Sequence, residues 1–294
     1  MTVLHELRTL VEEFSPGRRT RTLIPRLTLM RSETATEPAQ TVMEPMLCVV
    51  LQGRKRAMLG DATFEYHPAQ YLVVSVGLPV SGQITEASAD TPYLAIGLRL
   101  DPAMLASLLL DMPPAPATEA APGLAVSPIR DELLEPLLRL VRLLRRPHEI
   151  ALMAPLAERE ILYRLLADDP ILRQMAQVDS RMSQVNRAIS WLRQHYAQPF
   201  QMEALAQVAN MSASTLHRHF KAVTRMSPLQ FQKLIRLQAA RQLLASQAAN
   251  AASVGFAVGY ESPSQFSREY RRLYGEPPAR DTARMRGAPA PVET

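Results

Sequence analysis

Apolar residues recur with two different periods along this 294-residue chain. Near the start, Leu4, Leu7, Leu10, Val11 and Phe14 follow the three- and four-residue spacing of one helix face and predict a short helix over residues 1–15. From about residue 20 to 100 the spacing tightens into short apolar runs, MLCVVLQG, RKRAML, ATFEY, YLVVSV and YLAIGLRL. Gly53, Gly60-Asp61, His67-Pro68, Gly77, Pro79 and Gly82 punctuate them, the rhythm of a small all-β sandwich or barrel. MLGDATFEY predicts a hairpin about Gly60-Asp61. The five prolines of 111–128 exclude a regular helix and predict a loop or linker. Two leucine-rich helices follow. Residues 129–146 align Leu133, Leu134, Leu137, Leu138, Val141 and Leu144, and residues 149–168 align Ile150, Met153, Leu156, Ile161, Leu162 and Leu165. Antiparallel helices of this kind either form a dimer interface or cap the β unit, and the dimer reading is the one favoured.

Residues 185–280 read as helical throughout and contain a repeat. Leu216-His217-Arg218-His219-Phe220 stands 50 residues before Phe266-Ser267-Arg268-Glu269-Tyr270, and Ser212, Ser214 and Pro228 match Ser262, Ser264 and Pro278 at the same offset. Leu205 matches Val254 if the second turn is one residue longer. One structural unit is used twice.

Each copy reads as helix, tight turn, helix. In the first, Met202 to Ala209 is a short amphipathic helix, Asn210 tolerates the left-handed turn, and Ser212 caps the next helix. That helix buries Leu216, Phe220 and Val223, leaving Ser214, Thr215, His217, Arg218 and Lys221 on a polar, cationic face of the width that enters a major groove. In the second copy, Ala252 to Val258 supports, Gly259 turns and Ser262 caps, with Pro263 tolerated in the first helical turn. Phe266, Tyr270 and Leu273 face inward; Ser264, Gln265, Ser267, Arg268, Arg271 and Arg272 face out. Between the copies, Ser227-Pro228 opens a long helix reaching Leu244. At ~1.5 Å per residue it spans roughly 27 Å, a spacer able to hold two recognition helices near the ~34 Å separation of successive major grooves. A spacer slightly short of that distance predicts bent DNA.

Charge is distributed to match. Residues 185–286 hold 14 Lys+Arg against 5 Asp+Glu, while residues 1–184 hold 19 against 22. Such asymmetry suggests a polyanionic partner, although a solvated basic face reads the same on charge alone. The chain is 47% hydrophobic and 21% charged, as in a globular protein. It has no apolar run of membrane-spanning length, and its amphipathic, acidic N-terminus is unlike a secretory signal. A single cysteine, Cys48, forms no internal disulfide. A cytoplasmic protein without membrane partners is therefore expected.

The stretch VNRAISWL…MEALAQVANMSASTLHRHFKAVTRMSPLQFQKLIRLQAARQLL…VGYESPSQFSREYRRLYGEPPARD, over roughly residues 185–285, resembles the DNA-binding domain of the AraC/XylS family. PMLCVVLQGRKRAMLGDATFEYHPAQYLVVSVGLPVSGQITEAS…PYLAIGLRLD, within about residues 20–165, resembles the cupin-like N-terminal domain of one AraC-type subgroup. The resemblance implies gene activation or repression, dimeric binding to direct half-sites, and an N-terminal domain that senses an effector, dimerises, or both. Carried over by position, it implies base contacts from Ser214, His217, Arg218, Ser264, Gln265 and Arg268, and phosphate contacts from Ser212, Thr215, Lys221, Ser262, Arg271 and Arg272. Three positions depart from the family pattern. Arg225 replaces a glycine, and a left-handed arginine costs about 1 kcal/mol or more, so that helix end is expected to be built differently. Asn210 replaces the turn glycine, and Gly255 stands where alanine is common.

The expected architecture is α+β. Residues 1–180 form a cupin-like β-barrel domain for sensing or dimerisation, with its β part at about 20–110 and helices at about 129–168. Residues 181–286 form an all-α domain with two helix-turn-helix motifs joined by a long helix, and 287–294 a disordered tail. The expected partners are double-stranded DNA, a second copy of the chain, a small apolar effector, and RNA polymerase if the protein activates. The competing reading is a cupin-type enzyme or binding protein with a basic helical tail. A metal-dependent cupin needs converging histidines and a carboxylate, whereas His67 stands alone within residues 20–110, beside Glu65, so neither metal, cofactor nor enzymatic activity is expected. Cys48 reads as a buried small hydrophobe or as a thiol sensor. Arg54-Lys55-Arg56 reads as a solvated turn, and Met43, Met46 and Met58 as the filling of an irregular core or the lining of an adaptable apolar pocket.

Overall fold

A computed structural model describes residues 2–112, 122–168, 172–173, 180–246 and 250–287. Residues 113–121 of the proline-rich segment and 288–294 of the tail lie outside the described residues. Contacts divide the chain into two compact units, Met1–Asn186 with Ala222–Arg225, and Arg187–Lys221 with Met226–Thr294.

The first unit opens with helix α1 (Val3–Phe14) and continues through nine strands: β1 (Arg19–Arg21), β2 (Leu27–Ser32), β3 (Ala39–Met43), β4 (Met46–Gln52), β5 (Arg54–Leu59), β6 (Ala62–Tyr66), β7 (Gln70–Val74), β8 (Leu78–Glu86) and β9 (Tyr93–Arg99). Helix α2 (Pro102–Asp111), strand β10 (Leu124–Pro128) and helices α3 (Asp131–Arg142) and α4 (Ile150–Asp168) follow. The strands make two sheets, ordered β1-β2-β9-β4-β7-β10 and β3-β8-β5-β6. Among the described residues the ladder is open at both ends of each sheet, so the expected barrel is a two-sheet sandwich.

The core has two levels because the six-stranded sheet is buried on both faces. Leu29, Leu47, Val49, Val73, Ile96 and Leu98 lie on one face and pack in a single cluster with α1, α3 and α4. Cys48, Val50, Leu72, Val74 and Ala95 alternate with them and turn the other way. This is why MLCVVLQ reads as one continuous apolar run rather than an alternation: β4 is central, between β9 and β7. The hairpin lies where expected, with Leu59 paired to Ala62 across Gly60-Asp61 and Gly60 at φ +60°. Glu158 of α4 is buried, and Arg26 meets it at 2.5 Å while also reaching Asp101 at 3.1 Å. A carboxylate in that position needs such a partner.

Several expectations change. Pro79 and Gly82 interrupt no strand; both lie within β8. Pro79 pairs with Val42 on the β3 side, while pairing to β5 begins only at Ser81, so its missing N–H leaves no gap in the β5 ladder. The end of the proline-rich segment is not loop: Leu124–Pro128 pairs along β7. Asp101-Pro102 starts a helix, since Asp101 accepts from the Ala103 and Met104 amides at 2.9 and 3.3 Å. Arg54-Lys55-Arg56 is strand, with Arg54 paired to Glu86 and Arg56 to Glu65 across the sheet. Met58 shares the outward face of β5 with Arg56, whereas Met46 sits beside Gly97, so these two methionines do not line one pocket.

The second part of the chain is helical: α5 (Arg181–Gln194), α6 (Met202–Ala209), α7 (Ala213–Thr224), α8 (Pro228–Ser246), α9 (Ala251–Ala257), α10 (Pro263–Tyr274) and α11 (Pro278–Gly287). Helices α7 and α10 have equal length and bounds displaced by 50 residues, and so do the starts of α8 and α11.

Candidate nucleic-acid interface

The repeat lays down two helix-turn-helix motifs, α6–α7 and α9–α10. In the first, α6 ends at Asn210 with φ +54°, and the Met211 amide donates back to Ala206 at 3.0 Å. Ser212 Oγ then accepts from the Thr215 amide at 3.3 Å and opens α7. In the second, Asn250 caps α9 through the Ser253 amide at 2.8 Å. Gly259 turns at φ +92°, where a Cβ would stand 2.0 Å from the Ala197 carbonyl oxygen. No other residue fits there. Ser262 Oγ accepts from the Gln265 amide at 3.5 Å, a weaker cap. Between the motifs, Ser227 and Gln230 cap each other reciprocally, Ser227 N to Gln230 Oε1 at 2.8 Å and Gln230 N to Ser227 Oγ at 3.3 Å, which starts α8 firmly.

Each recognition helix buries one stripe and exposes the other. Leu216, Phe220 and Val223 of α7 are buried, as are Phe266 and Tyr270 of α10. Ser212, Ser214, His217, Arg218 and Lys221 are exposed and Thr215 is half-buried. On α10, Ser264, Arg268, Arg271 and Arg272 are exposed, with Ser262, Gln265 and Ser267 half-buried. Nine of the basic residues of the helical part therefore sort into two groups. Lys233, Arg236, Arg241 and Arg284 are engaged internally. Among the described residues, Arg218, Lys221, Arg268, Arg271 and Arg272 have no carboxylate partner, and all lie on the two outward faces. A set of cations left for solvent on matching helix faces is what a polyanion needs.

The internal group was not anticipated from sequence. Arg236 of α8 is partly buried, which lowers its pKa, and its guanidinium donates to the carbonyls of Tyr196, Gly259 and Gln198 at 2.6, 2.8 and 3.2 Å. It thereby ties the turn of the second motif to the loop before the first. Asp281 of α11 is fully buried and accepts from Arg241, Arg284 and the Tyr270 hydroxyl at 2.9, 2.7 and 2.7 Å. The matching pair in the first copy, 50 residues earlier, is Phe220 against Phe231, rings edge to face at 5.4 Å. The same joint is thus apolar in one motif and ionic in the other. The only available signal was three cations on a helix that also carries the core residues Phe231, Ile235 and Leu244, since buried cations demand partners.

The departures from the family pattern resolve as follows. Arg225 does end α7 in the left-handed conformation, φ +59°, against φ +81° for Gly275 at the end of α10, so the two ends are built alike. Arg225→Gly should therefore stabilise the protein by up to about 1 kcal/mol; an unchanged or lower midpoint in urea would contradict this. Gly255 lies against the Phe266 ring, where a Cβ would come within 3.0–3.3 Å, so α9 and α10 pack closer than alanine comfortably allows.

In the first unit, Cys48, Tyr66 and Tyr93 meet between the sheets, all fully buried. Burial pushes the Cys48 thiol above its ordinary pKa, which favours the small-hydrophobe reading over an activated thiol. His67 is exposed at the β6–β7 turn and contacts the Pro68 carbonyl at 2.8 Å. Glu65 pairs with Arg56 instead of His67. Among the described residues no three metal-ligating side chains come together, and no helix is long and apolar enough to cross a membrane.

Residues 23–170 match the AraC-type transcriptional regulator N-terminus, and residues 205–284 match a helix-turn-helix domain. Among curated proteins, the chain is similar to the HTH-type transcriptional activator RhaS of Escherichia fergusonii, at 31% identity over 130 residues, 43% of this chain and 46% of that protein. It is also similar to RhaS of Escherichia coli O1:K1, at 27% over 153 residues, 51% of this chain and 54% of that protein. The chain spans about half the length of the curated relatives it matches. Among solved structures, ToxT from Vibrio cholerae with an unsaturated fatty acid bound has a TM-score of 0.57 at 8% identity, over 91% of this chain and 96% of that one, a likeness of fold alone.

Proposed function

Because the chain belongs to the family of AraC-type transcriptional regulators, we propose that it regulates transcription by laying α7 and α10 into successive major grooves of one DNA duplex. The observation that carries this reading is the pair of matched helices whose outward faces hold Arg218, Lys221, Arg268, Arg271 and Arg272, with no carboxylate partner among the described residues. Ser214, His217, Arg218, Ser264, Gln265 and Arg268 read base edges; Ser212, Thr215, Lys221, Ser262, Ser267, Arg271 and Arg272 hold the backbone. Residues 181–286 form the DNA-binding domain and residues 1–180 the regulatory one. Helix α8, 19 residues long, spans roughly 28 Å, short of the ~34 Å groove repeat, so the bound DNA bends toward the protein. Hydroxyl-radical footprinting should show two protected patches about 10 bp apart on one face, and circular permutation should show a bend. One patch, or protection of scrambled DNA alike, would refute the two-groove reading.

The same reading assigns a homodimer to α4. Leu152, Leu156 and Tyr163 are 77%, 60% and 44% exposed there, beside a groove of about 430 Å³ that Leu108 and Met112 also line. An apolar strip of this kind on a regulator calls for a second copy. Leu156→Glu should convert the dimer to a monomer in sedimentation equilibrium while leaving thermal stability nearly unchanged; a wild-type monomer at micromolar concentration would sink the assignment. Val50, Leu72, Leu78 and Val80 are buried and apolar, and a small apolar effector of the first unit would meet side chains of this kind. RhaS is by name an activator; activation by this chain would add RNA polymerase as a partner.

A further inference from the structure

One side chain on the outward face of α10 is held in place by the protein itself. Gln265 Nε2 donates to Glu269 Oε1 at 3.4 Å, one turn along the helix. Glu269 is fixed in turn from two other segments, because Lys233 Nζ of α8 reaches the same oxygen at 2.9 Å and the Tyr260 hydroxyl reaches the other at 2.9 Å. Burial would raise the Glu269 pKa, but these three bonds outweigh it and hold the group ionised. An ionised carboxylate only accepts, so Gln265 must turn its amide nitrogen toward Glu269. The reverse orientation would set the amide oxygen against a negative charge.

We propose that Glu269 is a positioning residue that locks Gln265 in the orientation that reads adenine, so that the second motif selects an A·T pair at the base facing Gln265. This rests on the reading of α10 as a recognition helix. A primary amide has two N–H groups. With the one that points away from the oxygen held by Glu269, the other N–H and the oxygen remain together on the free edge. Adenine offers its N7 acceptor and N6 donor to that edge. Guanine offers two acceptors, N7 and O6, and would face the amide oxygen with another lone pair. The first motif has Thr215 and His219 at the matching positions, a hydroxyl and an imidazole, so this device belongs to the second motif alone.

The test uses the full-length protein and duplexes selected by it from randomised DNA. Affinities for the selected duplex and each of its single-base-pair variants are measured by fluorescence anisotropy at one salt concentration. Wild type should discriminate one A·T pair in the second half-site by about 5- to 150-fold. Gln265→Ala should abolish discrimination at that pair and at no other. Glu269→Met should lower discrimination at the same pair and change nothing there in the Gln265→Ala background. The proposal is overturned if the pair released by Gln265→Ala is G·C, if no pair is released, or if Glu269→Met weakens all duplexes equally. Where Glu269→Met does not fold, Glu269→Gln, which keeps the shape without the charge, is measured in its place, and undiminished discrimination at that pair overturns the positioning role. If wild type selects no duplex at all, the DNA-binding reading itself has failed, a different result from a selected site without the A·T signature.

Discussion

Replacing Asp281 with alanine should lower the stability of the helical unit by about 3 kcal/mol, roughly 12 °C or more in midpoint for a unit of this size. The cause is an uncompensated charge. Asp281 is fully buried, and its loss leaves the Arg241 guanidinium and the Tyr270 hydroxyl without their shared acceptor. Arg241 keeps 26% exposure to water, which places the effect at the lower end of the range for a broken buried pair. The single tryptophan, Trp191 on α5, stacks on His195 at 4.5 Å and reports the transition by fluorescence. The pH dependence has a definite sign. Burial pushes the Asp281 carboxyl up, but bonds from Tyr270, Arg241 and Arg284 outweigh this and hold it below the ordinary aspartate range. A depressed carboxyl contributes stability that is fully present above roughly pH 4 and is lost as pH falls through its folded value. Asp281→Asn should remove that acid-side slope. A loss under 1 kcal/mol for the alanine variant, or an unchanged acid limb for the asparagine variant, would show that the ionic joint matters little.

Arg218→Ala and Arg268→Ala should each weaken binding to the selected operator by about 1–3 kcal/mol and relax the choice of one base pair. The two arginines stand at the same place in copies displaced by 50 residues and touch different grooves in this reading. Their costs should therefore add, as for distant sites, giving a fall of roughly 30-fold to 10⁴-fold in the double variant. Lys221→Ala should behave differently, lowering affinity for all sequences and flattening the salt dependence by about one charge. The measurement is a titration at several salt concentrations on specific and scrambled duplexes. Equal losses on both duplexes would reassign the arginines to phosphate. No loss in one of the pair would mean that only one motif enters a groove.

Much of this architecture can be read directly from periodicity. The 50-residue repeat, its caps at Ser212, Ser227 and Ser262, and the left-handed turns at Asn210 and Gly259 follow from local chemistry, because each is decided within a few residues. The leucine-rich helices α3 and α4 are legible for the same reason. Strand β8 is not, because a proline and a glycine mark a break locally while only the absence of a β5 partner at Pro79 makes a strand tolerable there. Helix α2 hides because Leu105, Leu108, Leu109 and Leu110 surround it, leaving no polar stripe to reveal the period. Strand β10 is five residues long and acquires its identity from β7. The closed barrel was a fair expectation from strand spacing, but closure is a property of pairing between distant strands. Within the candidate interface, the outward residues are visible as a face. Glu269, Arg236 and Asp281 are not, since each is held by a partner 36 to 40 residues away in another segment.

The unlike joints of the two motifs, Phe220 on Phe231 and Tyr270 on Asp281, also bear on how the protein fails. Acid loosens an ionic joint before an apolar one, whereas cold weakens the apolar one first. The two halves of the operator should then be released one at a time, in an order that the stress decides. A promoter whose first half-site is strong would stay occupied through acid shock, and one that leans on its second half-site would be vacated, giving graded occupancy from a single polypeptide.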